Sequence, residues 1–289
     1  MPRESDMFSP PDADVVLQTS DEVRFGVYRR ILVESSPFFR DMFSLPQAHP
    51  TSSSSSSTSG ELSESDCSSS TPVVDVSEPG EVLDVLLRLV YPGEDPEVKT
   101  LDEVSILLET AMKYDMTRAI ATLRRILVSP SFVEKEPVRV YSIACRHDLE
   151  PEAQIASSHT LSINVLENPP SEDLKYMTAW SYHRLLTLHR HRADAALKLL
   201  DSANTEEIKC MQCNSAHYGS LCPPRWWTQF VGRAREELRA RPATGVVFSM
   251  KFLAESGQTG CQRCLGSVLE SHAFLERLKS RIDALPNTI

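Results

Sequence analysis

Twelve of the twenty residues from Thr51 to Ser70 are serine, in the run TSSSSSSTSGELSESDCSSS. Such a stretch cannot bury enough apolar surface to offset the entropy of ordering it, so the chain must fold around it. A disordered insertion is predicted over residues 47–71. Long surface loops add little closure entropy, so the segments on either side can still share one domain. The stretch reads first as a tolerated insertion. Its sharper reading is regulatory, because Ser63, Ser65 and Ser68 lie beside Glu61, Glu64 and Asp66. Phosphorylation there would add about −1.5 to −2 charges per site.

The flanking sequence sets short strands against capped helices. ADVVLQTS and EVRFGVY read as two strands around Ser20-Asp21, the second alternating Val23, Phe25 and Val27 with polar or small residues. In ESSPFFRDMFS, Ser36 can cap a helix and Pro37 suits its first turn. Phe38, Phe39, Met42 and Phe43 then fall at helical spacing, more apolar residues than one stripe requires. After the serine tract, PVVDV predicts a third strand, followed by a helix capped by Ser77 and ended by Pro92-Gly93. Thr100 and Glu103 make a capping box for a helix with Val104, Leu107, Leu108 and Ala111 on one stripe. TRAIATLRRIL adds one more helix.

From there the pattern is helical to the end. PVRVYSIACRH and PEAQIASSHTLSINVL are amphipathic, the second closed by Asn168-Pro169-Pro170. In AWSYHRLLTLHRHRADAALKLL, Tyr182, Leu186, His189, Ala193, Ala196 and Leu200 share a face. PRWWTQFVGRAREELRA and CLGSVLESHAFLERLKSRIDAL follow, the latter read as one helix with Val268, Leu275 and Ile282 seven residues apart. His189 and His272 sit on apolar stripes and are expected to be hydrogen-bonded core histidines. His183, Arg184, Arg190, His191 and Arg192, and likewise Arg233, Arg235, Arg239 and Arg241, are expected to be solvated basic faces, or a surface for an acidic partner.

The opening half resembles a BTB/POZ domain. The residues that carry the likeness are DADVVLQTSDEVRFGVYRRILVESSPFFRDMFSLPQ before the serine tract, and VLDVLLRLVYPGE and LLETAMKYDM after it. The likeness covers about residues 12–126, and PVRVYSIACRHDLEPEAQIASSHTL resembles the helical continuation of fungal BTB proteins. It implies an α+β fold of the Skp1 or elongin-C kind: a short mixed sheet with surrounding helices, followed by an all-α region. Residues 1–11 are expected to be a disordered N-terminus, 127–204 a helical extension, and 205–289 a separate helical C-terminal region. The resemblance further implies a protein-interaction module that forms homo- or hetero-oligomers. The swapped dimer of the longer members is not expected, since 13 mostly polar residues precede Asp14. Many members are substrate adaptors of cullin-based ubiquitin ligases and carry a hydrophobic-x-Glu signature after the Phe-Phe helix. Leu62-Ser63-Glu64 matches it, so Met42, Phe43, Leu62 and Glu64 are the expected protein-binding residues.

Two C-x-x-C pairs stand apart from this likeness, Cys210/Cys213 and Cys261/Cys264, with 47 residues between them. A thioredoxin-like redox motif needs a strand before it, and no strand pattern surrounds either pair. Four thiolates in two tight turns suit a structural zinc ion with all positions filled by protein. Two readings stay open: zinc, with His217 and Cys222 as alternative ligands, or unligated thiols. Cys67 and Cys145 are expected to be unrelated. The sequence has no Gly-rich phosphate loop, G-x-S-x-G or H-E-x-x-H, so no enzyme is expected.

Charge and compartment complete the picture. Residues 1–126 hold 11 Lys/Arg against 22 Asp/Glu, a balance of −11, and the remainder 19 against 18, a balance of +1. An acidic front half repels phosphate backbones, so nucleic acid is not an expected partner on its own. The expected function is a non-enzymatic adaptor in the cytoplasm or nucleus, with no membrane span. The alternative is a transcription or chromatin co-regulator using the basic helices.

Overall fold

The computed structural model describes residues 3–5, 7–45, 71–167, 169, 171–214, 216–217 and 220–289. The serine tract, with Leu62, Ser63, Glu64, Ser65, Cys67 and Ser68, lies outside the described residues, as does the side chain of His217. The chain divides into two units, Met1–Leu127 and Val128–Ile289.

The first unit carries β1 (Arg3–Glu4), β2 (Val15–Gln18), β3 (Val23–Val27), α1 (Arg29–Ser35), α2 (Pro37–Ser44), β4 (Val73–Asp75), α3 (Gly80–Val90), α4 (Leu101–Lys113) and α5 (Thr117–Leu127). Its sheet is mixed, in the order β1-β3-β2-β4. β2 and β3 run antiparallel with Leu17 opposite Phe25 and Val15 opposite Val27, while β1 on β3 and β4 on β2 are parallel. Side chains of a strand alternate between faces, and these four residues are all buried on one of them.

Among the described residues of 1–11, which are 3–5 and 7–11, the structure corrects the expectation of disorder. Arg3 and Glu4 pair with Val23 and Arg24, and the Gly26 N–H donates to the Phe8 carbonyl at 2.8 Å. Phe8 is buried, its ring 5.2 Å from Tyr91 and 6.1 Å from Phe25. One aromatic side chain with a place in the core is enough to order a polar segment that periodicity cannot flag.

Helix starts follow local chemistry in two cases and a remote residue in a third. Ser36 Oγ accepts the Phe39 N–H at 3.1 Å and donates to the Tyr114 carbonyl, so the cap of α2 also ties it to the end of α4. The Thr100/Glu103 capping box opens α4 as expected. Ser77 does not cap α3: its hydroxyl accepts from Lys113, and the helix begins after Pro79. The carboxylate of Asp21, in the β2–β3 turn, takes the Gly80 N–H at 2.9 Å instead. Glycine eases that approach, since a Cβ at position 80 would stand 3.0 Å from Val23 Cγ2 and the valine would have to give by a few tenths of an ångström.

The second unit is helical: α6 (Pro130–Val133), α7 (Pro137–Arg146), α8 (Glu150–Thr160), α9 (Ala179–Asp201), α10 (Arg225–Ala240), α11 (Thr244–Val247), α12 (Met250–Gln258), α13 (Cys264–Glu270) and α14 (His272–Asp283). A two-stranded ribbon, β5 (Ala216–His217) and β6 (Ser220–Leu221), precedes α10. No break falls at 204/205, because Ala196 and Leu200 of α9 share one core with Trp226, Phe230, Leu238, Val268 and Ile282. The helix read over 264–285 is interrupted at Ser271, whose hydroxyl bonds back to the Ser267 carbonyl at 2.8 Å. Such back-bonding bends helices. Among the described residues no helix is long and apolar enough to cross a membrane.

Candidate metal centre and interaction face

The two C-x-x-C turns come together. The Asn214 side chain accepts the Cys210 N–H at 2.8 Å and the Asn214 N–H returns to the Cys210 carbonyl at 3.3 Å, which closes the first turn. In the second, the Cys264 N–H bonds to the Cys261 carbonyl at 2.9 Å. Between turns, Cys210 and Cys261 sulfurs are 3.5 Å apart, Cys213 and Cys264 3.5 Å, and Cys210 and Cys264 4.0 Å. All four Sγ atoms lie within 4.8 Å of one another. A disulfide needs about 2.05 Å, so these are separate thiols. Four sulfurs at about 2.3 Å from a tetrahedral ion stand about 3.8 Å apart, and the separations here, from 3.5 Å to within 4.8 Å, bracket that value.

The surroundings hold that geometry. The Arg225 N–H points to Cys213 Sγ at 3.4 Å, and Trp226 Nε1 donates to Ser267 Oγ, which donates on to the Lys209 carbonyl. Gly260 leaves room for Cys264, whose sulfur would be 2.5 Å from any Cβ there. Burial pushes the Cys213 thiol up to about 12 and the Cys264 thiol upward too. At Cys261 burial acts in the same sense, but the Arg263 N–H and the neighbouring sulfurs outweigh it and bring that thiol to about 7. Without a cation Cys213 and Cys264 therefore resist ionisation while Cys261 gives up its proton readily, and a cation among the sulfurs would remove the limit on the two raised thiols. Cys222 is exposed and outside the cluster, and Cys145 lies on α7, away from it.

The four apolar residues of α2 divide between core and surface. Phe39 is buried and stacks on Tyr114 at 5.4 Å. Phe43, expected as a protein-binding residue, is only 8% exposed; it stacks on Phe39 and lies under the Arg29 guanidinium. It belongs to the core. Met42 is half-buried, while Phe38 is 43% exposed and Leu45 is exposed just beyond the helix. Both Phe38 and Phe39 meet Tyr114, the first edge-on and the second stacked, each at 5.4 Å, and periodicity cannot say that only the stacked ring is fully covered. Leu62 and Glu64 lie outside the described residues.

The basic helices are less open than their sequence implies. Arg192, expected on a solvated face, is buried, with its guanidinium donating to the carbonyls of Pro242, Ile282, Leu285 and Pro286. Arg184 forms a two-pronged pair with Glu150, Arg233 pairs with Glu255, Arg235 with Asp201 and Arg241 with Glu237. His189 is hydrogen-bonded as expected, its Nε2 2.9 Å from Thr160 Oγ1, but half-buried rather than in the core. His272 is on the surface: its side chain is 74% exposed, because the break at Ser271 makes it the first residue of α14.

Comparison with known proteins matches residues 7–131 to the family model of the BTB/POZ domain. No matching relative is found among the curated proteins. The matched span starts one residue before Phe8 and so takes in that buried ring, though not β1. With its small mixed sheet, the Ser36-capped α2 and the helices that follow, residues 7–131 of this chain are a BTB/POZ domain, a module of protein–protein association.

Proposed function

We propose that this chain is a non-enzymatic adaptor, that its BTB domain presents α2 to a cullin scaffold, and that its helical half holds a second protein. The observation that carries the reading is the apolar edge formed by exposed Phe38 and Leu45 with half-buried Met42, which in sequence precedes the tract containing Leu62-Ser63-Glu64. Exposed apolar residues rimmed by polar ones mark protein interfaces. Arg184, Arg233, Arg235 and Arg241 are each paired with an acid and Arg192 is buried, which leaves exposed Arg190 and Arg239 of the two basic faces and weakens the co-regulator alternative. Its test is pull-down of the full chain with cullins. Met42→Asp, or Leu62→Ala with Glu64→Ala, should lower cullin recovery roughly 5- to 30-fold, the range of an interface anchor, with an unchanged melting temperature for the loop double variant. Recovery equal to the parent from that double variant would remove the cullin assignment and leave the adaptor reading.

The metal of the four-cysteine centre is zinc in this reading. Thiolate sulfur in a closed tetrahedral set favours it over harder divalent ions. Its role is structural, since no position is left open for water.

A further inference from the structure

The four sulfurs of the metal centre are not equally placed. Cys210 and Cys264 are buried and Cys213 and Cys261 are half-buried, so each C-x-x-C turn has one inner and one outer sulfur. The contacts run from outer to inner across the two turns. Outer Cys261 is 3.5 Å from inner Cys210, and outer Cys213 is 3.5 Å from inner Cys264. Cys261 has another neighbour at 3.5 Å in its own turn, Cys264, so its distances alone leave two choices. Pairing across the turns uses all four sulfurs with both separations at 3.5 Å, about 1.5 Å longer than a disulfide bond.

Four ligating thiolates in one place are also four nucleophiles. Thiolate sulfur is the form that attacks an oxidant, and ligation keeps sulfur in that form. The half-buried positions of Cys213 and Cys261 admit a reagent as small as a peroxide. The other described cysteines stand apart, with Cys145 on α7 and Cys222 outside the cluster.

We propose that the centre is a peroxide-responsive site that passes from a metal-held form to a form held by two disulfides, Cys210–Cys261 and Cys213–Cys264. The proposal rests on the zinc reading and names the chemistry that regulates the same site. An outer thiolate attacks one oxygen of hydrogen peroxide. The O–O bond breaks, the other oxygen leaves as hydroxide, and the sulfur becomes a sulfenic acid. The inner thiolate then attacks that sulfur, the S–S bond forms, and a second hydroxide leaves. For each pair, two thiolates, one hydrogen peroxide and two protons give one disulfide and two waters, with two electrons passing from sulfur to peroxide. With no thiolate left in the set, zinc is released as the divalent cation. Both bonds join residues 51 positions apart, so the turns stay tied where chelation unties them. A bond within either turn would leave the two turns unjoined.

The zinc-loaded full chain is treated with hydrogen peroxide beside a colorimetric zinc indicator, then alkylated and mapped by mass spectrometry without reduction. About one zinc per chain should be released, and the peptide map should hold the two cross-turn links. Dithiothreitol with added zinc should reverse both effects. Hydrogen exchange in α10 and α13 of the oxidised chain should stay near that of the zinc form, while the chelated, reduced chain exchanges at least about tenfold faster. Cys222→Ser should change none of this. Links within a turn, links to Cys222, sulfinic or sulfonic acids in place of disulfides, or zinc retained after oxidation would overturn the proposal. Protein that carries no zinc before peroxide is added overturns the zinc reading itself, a result distinct from zinc that is present and not released.

Discussion

His189 sits on α9 and reaches α8, with Nε2 2.9 Å from the Thr160 hydroxyl, and burial drives its titration down to about 4. In the unfolded chain a histidine titrates near about 6.5. Between those values the unfolded state binds the extra proton and the folded state does not, so folding stability rises with pH there. The contribution of His189 is therefore complete above about 6.5 and drains away toward about 4, with a slope of at most about 1.4 kcal/mol per pH unit. Urea unfolding at a series of pH values should show this slope in the second unit, and His189→Gln should flatten it by one proton. An equal slope in that variant would assign the acid sensitivity elsewhere. Arg192 makes the opposite point at the same scale. Its charge is kept in the interior by carbonyls from residues 50 to 94 positions away, which no local pattern announces.

Among the elements, α2 separates stability from recognition most sharply. Phe39→Ala removes a buried ring and should cost about 3–5 kcal/mol, whereas Phe38→Ala, on the exposed side, should cost less than about 1 kcal/mol. Chemical denaturation of the two variants checks the difference, and similar losses would mean that α2 has no free face. The sequence announced this element well: Ser36, Pro37 and the aromatic pair predict its start and its apolar character. Spacing also brought out the four cysteines, because each C-x-x-C is a local turn and only the 47 intervening residues obscured their meeting. What stayed hidden depends on partners distant in sequence. The cap of α3 comes from Asp21, the burial of Phe8 from Phe25 and Tyr91, and the burial of Phe43 from Arg29 and Phe39. The α9 stripe was read one step out of phase at its start: Leu185 and Leu188 are buried where Tyr182 and Leu186 were expected. A face that holds Arg192 on one flank and His189 on the other gives periodicity little contrast.

At the scale of the whole molecule, the four cysteines bear on one unit and not the other. All of them fall within Val128–Ile289, and Cys210 and Cys264 are part of the core that also holds Trp226, Phe230 and Val268. A tie between Cys210 and Cys261 closes a loop of about 50 residues, and the loop-entropy model puts the restriction of the unfolded chain at about 4 kcal/mol. Purified protein should carry about one zinc per chain by elemental analysis. Chelation should then speed hydrogen exchange in peptides from α10 and α13, which pack on the centre, and leave β2, β3 and α4 of the first unit as protected as before. Cys210→Ser and Cys261→Ser should match the chelated protein, since losing a ligand from either turn opens the same site. Cys222→Ser should behave as the parent, because that thiol is exposed and lies outside the cluster. Metal-free protein with the same exchange in α10 and α13 would show that packing around Trp226 and Trp227 holds the turns together unaided, and that the sulfurs meet without an ion between them.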